Sequence, residues 1–436
     1  MRFLPFAAVA LALAAHGTPA RAQVLDQWVQ YAPGDTVLLR AITSNTGSGS
    51  ICPTASVDGR AVHLRERFVP DSDFPILECE ASVPIGGHQA MIGGVPLRMP
   101  LAHPRRIVVI GDTGCRIKGT AAQACNDPVA FPLQRIAYFV ANFAPDAIVH
   151  VGDYFYRESP CPQGAGVDCT GSPYGDNWGS WNADWFGPAA ALIASAPIAQ
   201  TRGNHESCGR GQNGWYHLLD PFPYNPAAVT CTKGSTYDFE PPYTVKMGPT
   251  TLLMFDSSFA NDTTGSTSPT VISTYKSELS QILSTLSGNV IYVTHKPTYG
   301  LIGVSDTGIV SGGDNDEQNV FSDGVPQPIK LLLSGHIHNY QAVQLTSKAY
   351  APQLVVGISG TALDPDGVPT DQQHATYQAS PSTTATTVST ADLADFGFAV
   401  LDATGVGYRG TIYDLNGAVL AHCAIDLDDR RLACTQ

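Results

Sequence analysis

Seven residues with metal-ligating side chains fall in five short motifs that follow one another along this 436-residue chain. Asp112 stands in GDTG, Asp153 and Tyr156 in GDYFY, Asn204 in GNHE, His295 in VTHK, and His336 and His338 in GHIH. Two carboxylates, a phenol, an amide oxygen and three imidazoles are enough donors for two ions, since a carboxylate between two ions can serve both. Asp153 is the candidate bridge. Two ions about 3.5–4 Å apart can orient a phosphate, acidify a shared water and stabilise both the attacking and the leaving oxygen. Hydrolysis of a phosphate ester is the chemistry this set suits best, and it requires no protein nucleophile. Each motif alone is weak, because a strand ending in Gly-Asp is commonplace and a lone His after a strand is more often an ordinary core or surface residue. The order and completeness of all five carry the reading.

The elements that must position these residues are legible as continuous apolar runs. RRIVVIGD, DAIVHVGD, APIAQTRGN, TLLMFDSS, NVIYVTHK and IKLLLSGH read as buried strands of an α/β layer structure. Asp112, Asp153, Asn204, His295 and His336 each sit at or just past a strand's carboxyl end, the edge where open α/β sheets bind ligands. One edge is expected to collect every candidate ligand. Between the first two runs, DPVAFPLQRIAYFVANFAPD holds a helix crossing from strand to strand.

Residues 23–104 carry short alternating runs such as DTVLLRAI and RAVHLRERFV, broken by Gly, Pro and Asp, and predict a small all-β N-terminal domain ahead of a catalytic domain over 105–436. Residues 157–186 read as a long loop. The spacing of Trp178, Trp181 and Trp185 near its end fits one apolar helix face, which predicts core packing for at least two of them. The stretches 261–270 and 376–391 read as flexible surface loops. Asp314, Asp316 and Glu317 read as a solvated acidic loop, and Asn416-Gly417 as a hairpin turn. His150, inside a strand, is expected in the core or beside the ligands rather than among them. Lys296 and Tyr299 follow His295 and fit the substrate mouth or the surface equally well.

Across residues 111 to 338 the motif order resembles the calcineurin-like metallophosphoesterases, and within them the purple acid phosphatases. Most of that superfamily carries Asp-x-His in the first motif, whereas here Thr113 and Gly114 follow Asp112. The purple enzymes replace the missing histidine by a tyrosine, and Tyr156 stands where that tyrosine belongs. The resemblance implies a β-sandwich of mixed sheets flanked by helices. It implies one Fe(3+) held by Asp112, Asp153, Tyr156 and His338, and one Fe(2+), Zn(2+) or Mn(2+) held by Asp153, Asn204, His295 and His336. Phenolate suits a trivalent ion, while a neutral amide and two imidazoles suit a divalent one. By the same resemblance His205 contacts the phosphate and protonates the leaving group. Glu206 would orient that imidazole or cap the next turn. The N-terminal region resembles in position the β-sandwich that precedes the catalytic domain in plant-type purple phosphatases.

The chain opens with Arg2, an apolar run and Ala20-Arg21-Ala22, which reads as an export signal over residues 1–22 and predicts a periplasmic or secreted protein. No later run approaches the roughly 20 apolar residues of a spanning helix. The formal charge of −14, which becomes −16 without Arg2 and Arg21, argues against a nucleic-acid-binding surface. Ten cysteines in an exported chain predict disulfides, paired between sequence neighbours as Cys52–Cys79, Cys115–Cys125, Cys161–Cys169, Cys208–Cys231 and Cys423–Cys434. A phosphomonoesterase of acid phosphatase type is the leading reading. A phosphodiesterase or nucleotidase using the same two ions is its rival, and an exported binding protein with a silent site is the alternative of another class.

Overall fold

In a computed structural model of the chain, every apolar run that leads to a candidate ligand becomes a strand, and these strands divide between two sheets. Arg106–Ile110, Ala147–His150 and Ile198–Gln200 run parallel and adjacent in an eleven-stranded sheet, with Ile110 opposite His150 and His150 opposite Gln200. Thr250–Met254, Asn289–Val293 and Ile329–Ser334 are parallel neighbours in an eight-stranded sheet. The single expected edge is therefore two edges, one from each sheet. The structure describes residues 23–435 apart from 45–46, 48–50, 165, 227–238, 263–265, 306–307, 312, 365–373, 381–382 and 390–394. The expected export signal lies outside the described residues.

The runs are continuously apolar because each strand is covered on both faces. Ile107, Val109 and Val149 meet Ile291, Val293, Leu331 and Leu333 of the facing sheet in one core. The alternate residues Val108, Ile110 and Ile148 turn outward onto Leu133, Ile136, Val140 and Leu192, from the helices Leu133–Asn142 and Gly187–Ile193. Leu253, Tyr292 and Leu332 do the same against Val271, Tyr275 and Leu279 of the helix Pro269–Leu283. The result is the β-sandwich of mixed sheets flanked by helices. Each such side chain, fully buried, contributes about 1.5–3 kcal/mol of transfer free energy, so the strands that carry the candidate ligands are anchored on both faces.

The described residues of 24–98 form strands and no helix, the all-β character predicted for them. Val24–Ala32 pairs parallel with Ile198–Gln200, and Thr36–Ser44 and Ile76–Pro84 follow antiparallel, so these strands extend the sheet that carries Asn204. Arg40 and Arg67 cross-brace this extension. Both pair with Glu80, at 3.0 and 2.9 Å, and both donate to carbonyls of the segment 216–220, among them Leu218 and Tyr216 at 2.9 Å each. Past the ligand-bearing strands, Gly397–Ala403 returns antiparallel to Arg106–Ile110. Asn416-Gly417 turns the chain between Gly407–Asp414 and Val419–Asp426, with Gly417 at φ 78°. Four of the expected disulfides are present, Cys52–Cys79, Cys115–Cys125, Cys161–Cys169 and Cys423–Cys434. Cys231, of the fifth pair, lies outside the described residues.

Three local expectations are corrected. His374–Ser380 and Thr383–Ser389 form an antiparallel hairpin on the edge of the eight-stranded sheet instead of a surface loop, because Thr-rich alternation has strand propensity that its polarity masks. Asp314, Asp316 and Glu317 are buried rather than solvated. Asp314 caps the helix Asn315–Val320, its Oδ1 accepting the N–H of Asp316 and Glu317 at 2.8 and 3.0 Å, so backbone donors replace water at that oxygen. The end of 157–186 is helical over Trp178–Trp181 and continues as a π-helical turn to Phe186. Trp181 and Trp185 are fully buried there, as their spacing predicted. Among the described residues no helix is long and apolar enough to cross a membrane.

Candidate metal centre

Each candidate ligand follows its strand closely, and the turns that carry them are tight. Asp112, Asp153 and His336 adopt φ of 57°, 62° and 70°, the left-handed region that disfavours an L side chain by roughly 1–2 kcal/mol. Neighbouring motifs hold these turns. Asp112 Oδ2 accepts the N–H of His336 at 2.9 Å, and Asp153 Oδ1 accepts the N–H of His205 at 2.9 Å. Two glycines make the approach possible: a Cβ at Gly203 would lie 2.0 Å from Asp153 Oδ1, and one at Gly335 2.3 Å from Asp112 Oδ2.

The seven residues converge as two groups of donors that share one atom. In the first group the Tyr156 hydroxyl lies 2.9 Å from Asp112 Oδ1, 2.8 Å from Asp153 Oδ2 and 3.0 Å from His338 Nε2. In the second, His295 Nε2 lies 3.1 Å from Asp153 Oδ2, 3.1 Å from Asn204 Oδ1 and 3.3 Å from His336 Nδ1. Asp153 Oδ2 belongs to both, which is the geometry a bridging carboxylate needs. Two imidazoles are fixed from behind, since His295 Nδ1 lies 2.9 Å from the Val151 carbonyl and His338 Nδ1 2.9 Å from that of Ala362. Donation there leaves each Nε2 with its lone pair facing the site.

Burial concentrates the electrostatics. Asp112, Asp153, Tyr156 and His295 are almost completely shielded from water. Burial and the two carboxylates push the Tyr156 phenol well above its usual range. Burial lowers the His295 pKa, but the Asp153 carboxylate overrides it and brings the imidazole up to about 9. Asp153 correspondingly stays ionised. Two acids within 2.9 Å of the central phenol form a negative pocket that a proton or a cation must neutralise. This donor set fits a metal pair: oxygen-rich and anionic on the Tyr156 side, imidazole- and amide-rich on the His295 side.

His205 stands beside the two groups. Its ring packs against that of Tyr156, tilted by 37° with centroids 3.8 Å apart, its Nε2 is 3.8 Å from Asp153 Oδ2 and its Nδ1 is 2.7 Å from Glu158 Oε1. Burial lowers its pKa to about 4 against the pull of Asp153 and Glu158. His150 is buried in the strand, stacked on Tyr154 and 3.0 Å from the Thr113 hydroxyl, and so belongs to the packing behind the site. Tyr299 and Lys296 are both buried, which removes the surface reading. Lys296 Nζ donates to the Ala260 carbonyl at 2.6 Å.

Of the two roles expected for Glu206, capping is the one the structure supports: its carboxyl accepts the N–H of Gly203 at the start of the turn Asn204–Glu206, and also the backbone N–H of Asp153, Tyr154 and Phe155, all at 2.8–3.1 Å. Other acids around the site escaped the sequence reading. Asp184 accepts from Cys115, Tyr156 and Arg157. Glu158, just past Tyr156, is the acid beside His205. Its closeness to the second motif was a usable signal, whereas Asp184 and Asp262 lie far from every motif in the sequence.

Residues 105–340, more than half of the chain, match the family model of the calcineurin-like phosphoesterases, and the chain belongs to that family. The family implies a dinuclear metal site and a phosphoric ester hydrolase. Asp153, His295 and His336 here bring ligand atoms within 4.8 Å of one another. Among solved structures the chain is similar to purple acid phosphatase PPD1 isolated from yellow lupin (Lupinus luteus) seeds. The TM-score is 0.51 at 14% identity, over 90% of this chain and 72% of that one. At that identity the likeness bears on the fold. A predicted phosphoesterase from Streptococcus pneumoniae TIGR4 also matches, at 9% identity and a TM-score of 0.27, over 72% of this chain and 92% of that one. Comparison with curated protein sequences gives no match.

Proposed function

We propose that this protein is an exported acid phosphatase that hydrolyses phosphate monoesters at a mixed-valence dinuclear centre. The observation that carries the proposal is the Tyr156 hydroxyl, set 2.8–3.0 Å from Asp112, Asp153 and His338 with Asp153 Oδ2 facing the second donor group. In this reading Asp112, Asp153, Tyr156 and His338 hold Fe(3+), and Asp153, Asn204, His295 and His336 hold Fe(2+), Zn(2+) or Mn(2+). The ions supply Lewis acidity to the phosphoryl group and lower the pKa of water. The chain's own residues do the rest. Asp153 keeps the two donor groups in register, Asn204 and the imidazoles set the geometry, and His205 gives a proton to the departing alkoxide. Glu158 stands 2.7 Å from His205 Nδ1 on the side away from the donor groups, which leaves Nε2 for that transfer. Four disulfides support export, because such bonds persist in oxidising compartments. No candidate ligand is missing, which weighs against a silent binding protein.

The test is the rate of hydrolysis of an aryl phosphomonoester beside the matching phosphodiester, on metal-loaded protein, from acidic to alkaline pH. The proposal expects a monoester preference with an optimum below neutrality. A diester preference would move the activity to a phosphodiesterase, and hydrolysis of neither would overturn the enzymatic reading.

A further inference from the structure

We infer that Asp262 is a positioning residue for the divalent ion, acting through His336 and tied back to His295 by Lys296. The inference rests on the dinuclear reading above and extends it to a residue outside the five motifs. Asp262 Oδ2 lies 2.7 Å from His336 Nε2, while His336 Nδ1 points toward His295 Nε2 at 3.3 Å. A carboxylate on Nε2 fixes the proton there and leaves the Nδ1 lone pair for a metal, the arrangement that orients a ligating imidazole and raises its basicity. His295 and His338 obtain the same service from backbone carbonyls. His336 alone of the three takes it from a charged side chain.

Asp262 is itself held in place. Lys296, the residue after His295, lies 3.3 Å from the same Oδ2 and donates to the Ala260 carbonyl at 2.6 Å. Two ligands assigned to one ion are thereby joined through a Lys–Asp bridge: His295, Lys296, Asp262, His336. Asn261 next door is fixed on the buried acidic segment, where Asp316 accepts its N–H at 2.9 Å and its carbonyl accepts the N–H of Asn315 at 2.9 Å. The acids that sequence alone assigned to a solvated loop form the seat on which Asp262 is mounted. Asp262 remains partly exposed, with 37% of its side chain accessible, and so borders the opening of the site.

The test measures zinc occupancy of iron-loaded protein by elemental analysis across a series of zinc buffers, for wild type, Asp262→Ala and Asp262→Asn. Loss of the carboxylate should raise the free zinc concentration at half-occupancy by about 10- to 100-fold in Asp262→Ala. The rise should be smaller in Asp262→Asn, which keeps an acceptor opposite Nε2 and serves alone if the alanine variant does not fold. Visible absorption from the iron–phenolate pair should persist in both, which separates a local effect on one ion from a general loosening of the site. Unchanged zinc affinity in both variants, or loss of the iron band in step with the zinc, would overturn the inference. A wild-type protein that takes up iron but no second ion would overturn the dinuclear reading itself, and this inference with it.

Discussion

Glu206 Oε2 accepts the backbone N–H of Asp153 at 3.1 Å, so that an acid from the third motif fixes a candidate ligand of the second. The same side chain takes the N–H groups of Tyr154, Phe155 and Gly203, all inside the protein. Truncation would leave those donors unpaired at about 1–3 kcal/mol each. Glu206→Ala is therefore expected to lose at least about 3 kcal/mol of stability, together with both metal ions, measured by denaturant unfolding and elemental analysis. Wild-type stability in that variant would show that the contact does not hold the turn.

Tyr156→Phe removes one oxygen from the first donor group and leaves the ring packed beside His205. The expected result is a folded protein without the visible phenolate-to-iron absorption. Persistence of that band would exclude Tyr156 as a ligand.

His205→Ala should reduce turnover of alkyl phosphates by about 10²- to 10⁴-fold, the usual range for general acid catalysis, and turnover of activated aryl phosphates far less. Burial holds this imidazole near a pKa of about 4, so its protonated fraction falls as pH rises above that value. Alkyl ester turnover by the wild type should accordingly decline toward neutral pH more steeply than aryl ester turnover. Equal losses for both ester classes would remove the general-acid role.

The metal-free protein should respond to pH through His295. Its folded pKa of about 9 stands above the ordinary 6.5, so the folded state binds the extra proton between those values. That contribution is fully present below 6.5 and is lost as pH rises through 9. Thermal unfolding of the metal-free protein should thus show stability falling between pH 6.5 and 9. A bound cation takes the place of that proton, so divalent affinity should rise by about tenfold per pH unit over the same window. A metal affinity independent of pH there would contradict His295 as a ligand.

The ligand-bearing strands were legible because their runs are apolar on nearly every residue, a pattern that double coverage explains. Asp112, Asp153, Asn204, His295 and His336 could then be placed at strand ends without coordinates. That two sheets share the work could not be read, since nothing in NVIYVTHK separates its sheet from that of DAIVHVGD. Alternation in the N-terminal strands is no guide to their partners either: Val24–Ala32 pairs with Ile198–Gln200, from a distant part of the chain. Polar segments misled most. Asp314 is buried on backbone donors, and His374–Ser380 pairs with Thr383–Ser389 in a hairpin, because composition reports solvation preference but not the partners that replace water. Asp262 and Glu206 act through contacts that only the folded chain creates.

If two ions share Asp153, anomalous diffraction from crystals of the metal-loaded protein will show both. Two peaks about 3.5–4 Å apart are expected, one among Asp112, Tyr156 and His338 and the other among Asn204, His295 and His336, with Asp153 Oδ2 between them. A single peak, or two that do not both contact Asp153, would contradict that sharing.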